Sequence, residues 1–134
     1  MSTDIVVVEG GVKPKGYANG RIGRGPALHI AGQVGWNDKG VFEAKDLVGQ
    51  FAQALTNVIN VLHAAHGRVT DIAEMTIYVT DIAAYRASTK AIGPIWKERM
   101  QTHFPAMALL GVAALVEPEA LVEIQAVAYL EQPE

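Results

Sequence analysis

The 134-residue sequence contains no cysteine, which excludes disulfides, thiolate nucleophiles and cysteine-ligated zinc. Charge is also scarce, at 19% of residues against roughly 25% in an average soluble domain. What charge there is leans acidic, with a net −3, and the lysines and arginines are scattered. No basic stripe exists to neutralise a run of phosphates, so nucleic-acid binding is disfavoured on electrostatic grounds. Long hydrophobic runs are absent too: the longest uncharged apolar stretch, 105–116, is too short to span a bilayer. Met1-Ser2-Thr3-Asp4 places an acid where a signal peptide carries positive charge. These absences predict a cytoplasmic protein with neither a membrane nor a nucleic acid as partner.

Apolar residues, by contrast, make up half the chain, and the mean hydropathy is +0.17. A disordered chain cannot bury enough surface to offset its entropy, and this composition is not of that kind. The length fits a single domain over 1–134. So apolar a small chain either builds a large core or shares surface with another copy, and a homo-oligomer is expected.

The pattern along the chain alternates strands and helices. A β-branched run at 5–8 stops at Gly10-Gly11 and predicts an edge strand with its turn. Tyr17-Ala18-Asn19-Gly20 has the makings of a short strand, and 27–34 reads as another. Over 46–66, Leu47, Phe51, Leu55, Val58, Ile59 and Leu62 recur at helical spacing, with Asp46 suited to the start and Gly67 to the residue after the last turn. At 72–80, Met75, Ile77 and Val79 alternate with Thr76, Tyr78 and Thr80, which is strand periodicity. A second helix starts at Thr80-Asp81, its buried stripe Tyr85, Ile92, Ile95, Trp96 and Met100. Gly93-Pro94 predicts a kink there, or a break into two shorter helices. Strands at 107–115 and 121–130 complete the chain. Two helices cannot cover both faces of a six-stranded sheet, so one face is left uncovered for a partner.

Few residues offer chemistry. Glu123 shares a strand face with Gln125 between Leu121 and Val127; a carboxylate losing hydration there is suited to proton transfer, and the plain alternative is an edge-strand glutamate in solvent. Tyr17 either anchors a loop or faces a ligand. Gly32 inside a strand predicts a bulge or a close backbone approach. Gly-Arg-Ile-Gly-Arg-Gly at 20–25 has neither phosphate-loop nor dinucleotide spacing, and Arg21 and Arg24 read as turn residues with solvated heads. His63 and His66 lie three apart on a helix without a zincin glutamate, so no metal site is expected. Ser88 lacks a G-x-S-x-G context, and Trp36 and Trp96 read as core or interface anchors.

Taken together, Ile30-Ala31-Gly32-Gln33-Val34, Tyr78-Val79-Thr80-Asp81, Phe104-Pro105-Ala106 and Val122-Glu123-Ile124-Gln125-Ala126-Val127-Ala128 carry a resemblance over about 17–129. In order, spacing and length the chain resembles the RidA/YjgF family of enamine/imine deaminases. The resemblance implies an α+β, chorismate-mutase-like fold: a mixed six-stranded sheet with two helices on one face. It also implies a homotrimer with a central barrel and a small-molecule ligand in each inter-subunit cleft. Hydrolysis of small imines or enamines to a 2-keto acid and ammonia, without metal or organic cofactor, is the implied activity.

Residue by residue, the family's glutamate falls on Glu123, its cleft tyrosine on Tyr17 and its strand glycine on Gly32. The serine before that glycine is Ala31 here, and an asparagine of the second helix becomes Thr89. The arginine after Phe-Pro-Ala, which holds the substrate carboxylate in the family, is Met107. A thioether cannot pair with a carboxylate, and losing such a contact forfeits on the order of 1.5–3 kcal/mol. Weak or absent activity on 2-aminoacrylate follows, with a more apolar pocket suited to a neutral or aromatic ligand. Lys15, Arg21 or Arg24 is available to substitute for the missing cation. A binding trimer without catalysis is the alternative reading. The family's older labels, endoribonuclease or translation inhibitor, gain no support from the net charge.

Overall fold

Asp46 opens the longest element of the computed structural model, which describes residues 2–131. Its carboxylate accepts from the Gly49 N–H at 3.1 Å and caps α1 (Leu47–Ala64), satisfying one of the donors that a helix start leaves free. Phe51, Leu55, Val58 and Leu62 are fully buried along one stripe of α1, each contributing roughly 1.5–3 kcal/mol relative to exposure. At the other end the left-handed residue is His66 (φ 63°) rather than Gly67. Gly67 is small for another reason, since a Cβ there would lie 2.5 Å from Leu62 Cδ1.

The sheet under α1 is mixed and four-stranded. Its strands are β3 (Ala27–Val34), β4 (Ile72–Val79), β5 (Ala106–Gly111) and β6 (Val122–Tyr129), in the order β3-β6-β4-β5. β4 and β5 run parallel, and β6 is antiparallel to both of its neighbours. Two further strands, β1 (Thr3–Val6) and β2 (Gly20–Gly23), form a separate antiparallel ribbon, so the expected six-stranded sheet is divided. The intervening segment bends at Gly10 and Gly16, both at positive φ, and touches the main sheet by one parallel bridge, Ala18 to Ala106. The ribbon is tied down by side chains: Ser2 Oγ donates to Asp71, and Thr3 Oγ1 donates to Thr70 O. Arg21 is therefore a strand residue and not a turn residue. Its Nε donates to Phe104 O at 2.9 Å.

The expected second helix divides as well, though not where proline predicts. α2 (Ile82–Ala87), capped by Asp81, ends at Ser88, and α3 (Thr89–Met100) begins there. The Ser88 hydroxyl bonds back to Ala84 O at 2.7 Å, offering the backbone an alternative to continued helix. Pro94 stays inside α3, where its missing N–H deprives only the carbonyl one turn back, on exposed Lys90.

Helices and ladder divide the residues of each strand. Met75, Ile77 and Val79 of β4, with Val122, Ile124, Ala126 and Ala128 of β6, are buried against the helices. Their alternates, among them Thr76, Tyr78, Glu123 and Gln125, lie on the other face. That face is left uncovered, as expected, but it mixes polar and apolar side chains. Gln50, buried on α1, donates to Ala44 O and Glu119 O and accepts from Leu121 N–H. Each polar atom of its amide is satisfied, and the loop before β6 is pinned to the helix.

Candidate functional site

A cavity of about 590 Å³ opens on the helix side of β5, in the size range of small-molecule sites. Its floor is Met107 and Leu109, which alternate with Ala108 on β5 and are in register with Met75 and Ile77. Its wall is one stripe of α3, where Thr89, Gly93, Trp96 and Lys97 recur at helical spacing. Gly93 contributes room, since a Cβ there would meet nothing within 4 Å. The indole of Trp96 stacks on Phe104, with ring centroids 5.9 Å apart and planes 6° apart. Its N–H is buried and has no hydrogen-bond partner among the described residues. Tyr17 reaches the mouth because the Ala18 N–H donates to Pro105 O at 2.9 Å and fixes the preceding loop. Burial raises the Tyr85 hydroxyl above its usual range, so it stays protonated.

Glu123 lies elsewhere. It alternates with Val122 and Ile124, which face the helices, and is in register with Tyr78 and Val34 on the open face. Between Ile30 and Gln33 the β3–β6 register shifts, so Ala31 and Gly32 together oppose Gln125. This β-bulge brings the Gly32 backbone against the glutamate: a Cβ at 32 would lie 2.7 Å from the carboxyl carbon of Glu123. Both meanings of a glycine within a strand, bulge and close approach, hold at this one position. Beside the pair, Tyr78 Oη donates to Gln125 Oε1 at 3.3 Å.

The six candidate residues thus fall into two groups. Tyr17, Thr89 and Met107 share the cavity; Ala31, Gly32 and Glu123 share the bulge on the opposite sheet face. Of the candidate cations, Arg21 is committed to Phe104 O, and burial lowers its pKa from the ordinary arginine value. Arg24 pairs with Asp4. Lys15 does line the cavity. His63 and His66 belong to no cluster able to hold a metal among the described residues. Sequence patterning does not mark Lys97, Tyr85 or Gly93 for the site; the α3 stripe that carries Trp96 also carries Gly93 and Lys97 and is the signal that finds those two, whereas Tyr85 comes from α2.

The family model described as Endoribonuclease L-PSP matches residues 12–130. The chain belongs to this family, the RidA/YjgF proteins. A Rid family protein of Yersinia pestis, YyfB, superposes with a TM-score of 0.86 at 32% identity, covering 97% of this chain and 100% of that one. A Mycobacterium tuberculosis member of the YjgF/YER057c/UK114 family gives 0.65 at 30% identity over 86% and 87%. A goat protein named 2-iminobutanoate/2-iminopropanoate deaminase is 33% identical over 102 residues, 75% of this chain and 71% of its own. Among RidA/YjgF proteins, then, this one carries Met107 directly after Phe104-Pro105-Ala106. No helix among its described residues is long and apolar enough to cross a membrane.

Proposed function

We propose that this RidA/YjgF protein hydrolyses small reactive imines or enamines to a carbonyl compound and ammonia, with a substrate altered by Met107. The observation that carries the reading is the Glu123 carboxylate seated against the Gly32 backbone on the open sheet face, with a ligand-sized cavity that holds Tyr17, Thr89 and Met107 on the other face. Relatives named as deaminases support the reaction class. Water adds to the imine carbon as Glu123 takes one of its protons and passes it to the imine nitrogen, giving the carbinolamine. The C–N bond then breaks as Glu123 carries the hydroxyl proton to the nitrogen, so that the carbonyl re-forms, ammonia leaves and the carboxylate is regenerated. Tyr17 and the backbone at Gly32 orient the ligand, and no metal or organic cofactor takes part.

In one chain the two groups face opposite ways, so the reading includes a cytoplasmic homotrimer. The bulge of one protomer meets the cavity of its neighbour in an inter-subunit cleft, and the sheets close into a barrel. A second reading, a trimer that binds a small molecule without turning it over, is favoured by one observation: an uncharged thioether sits on the cavity floor.

The experiment is 2-keto-acid release from imines generated in situ, comparing wild type with Glu123→Ala and Met107→Arg. Wild type is expected to turn over at least one imine, and Glu123→Ala to lose about 10²-fold or more. Met107→Arg is expected to gain on the alanine-derived imine. Silence of the wild type on every imine, with ligand binding retained, replaces the enzyme by the binder. Light scattering of the same preparations tests the trimer.

A further inference from the structure

Two lysines, Lys15 and Lys97, line the cavity described above, and no aspartate or glutamate of the same chain does. Neither lysine is held in an ion pair among the described residues. The rest of the lining is mainly aromatic and aliphatic and includes the stacked Trp96 and Phe104 pair, Tyr85, Met107 and Leu109. Two exposed cations on the lining of a largely apolar cavity favour a molecule with one anionic end and a bulky apolar body. An alanine-sized ligand would leave most of the 590 Å³ unfilled.

We infer that the cavity binds an aryl or similarly bulky apolar carboxylate, its carboxylate held by Lys97 and Lys15 and its body seated between the Trp96–Phe104 pair and Met107. Lys97 thereby supplies from α3 the positive charge that β5 does not. As a substrate the ligand is the 2-imino carboxylate of a large apolar side chain, and that clause alone rests on the deaminase reading.

The test uses 3-phenylpropanoate, its amide and propanoate, titrated into the full-length protein by calorimetry. Quenching of Trp96 fluorescence is followed in a Trp36→Phe background, since Trp36 lies apart against Phe42. The phenylpropanoate is expected to bind about tenfold or more tighter than either its amide or propanoate, and less tightly as salt rises. Lys97→Met is expected to cost about 5- to 10-fold, Lys15→Met less, and Lys97→Arg to restore binding. Equal affinity for acid and amide, or an unchanged affinity in Lys97→Met, overturns the inference, and so does absence of binding to the wild type. Tight binding of the acid without release of any 2-keto acid upholds the inference and removes the deaminase reading. Turnover of imines by a protein that binds the acid no more tightly than its amide does the reverse.

Discussion

The two faces of the sheet are built to different rules. On the helix side, Met75, Ile77, Val79, Val122 and Ile124 are buried to 2% exposure or less, and the chain itself provides everything they touch. On the other side Leu110 remains 48% exposed, and polar side chains alternate with alanine and valine. The candidate site straddles this boundary, with the ligand-sized space on the covered side and the carboxylate on the uncovered one. A fold that completes only one face leaves its chemistry to be completed by whatever covers the other.

The comparison can be broken first by stability. Leu55→Ala, on the covered side, should cost about 3–4 kcal/mol in urea unfolding. Leu110→Ala should cost under about 1 kcal/mol in a monomer, but more, with dependence on protein concentration, if a second copy covers it. Next, Gly32→Ala should displace the Glu123 carboxylate and lower turnover by on the order of 10- to 100-fold. Affinity for a cavity ligand such as 3-phenylpropanoate should hold, a split between the two groups that steady-state kinetics and calorimetry would reveal.

A smaller effect comes from His103, buried where its Nε2–H donates to Ile72 O at 2.7 Å. Burial is the main cause that pushes its pKa below the ordinary value of 6.5, with Arg21 adding to it; the bond to Ile72 and Asp71 oppose. Its unfolded form then binds more protons than its folded form below about pH 6.5. The stability it contributes is full above that pH and is lost as pH falls through its lowered pKa. His103→Gln should flatten that acid limb in thermal melts taken across the window. Smallest of all, Arg24→Ala removes an exposed ion pair with Asp4 and should change stability by no more than about 0.5 kcal/mol.

Much of this was written in periodicity. The alternation over Met75, Ile77 and Val79, the helical stripe from Leu47 to Leu62 and the caps at Asp46 and Asp81 are local patterns, and they appear in the structure within a residue or two. The break at Ser88 was not readable, because it depends on a hydroxyl bond back to Ala84 that competes with the helix, whereas Pro94 only looks like a breaker. The ribbon's strands, expected at 5–8 and 17–20, lie at Thr3–Val6 and Gly20–Gly23, because their bounds are set by pairing with each other across the intervening loop and not by local pattern. For the site, Glu123, Gly32, Tyr17 and Met107 came from short motifs, and their separation by sheet face follows from register, which a motif does not encode. Lys97 belongs to no motif, and only the stripe it shares with Thr89, Gly93 and Trp96 reveals it.

The bulge at Ala31–Gly32 adds one residue to β3 without changing which way the rest of the strand faces. Ile30 points to the helices, and so does Gln33, opposite Ile124, one residue late. Deleting Ala31 would therefore leave a continuous ladder, with the inward and outward residues of β3 still in their places and one residue fewer to accommodate. What would vanish is the offset that lays the Gly32 backbone under Glu123. Folding and chemistry meet at that position as separable demands, and the strand spends a residue on the second that the first does not require.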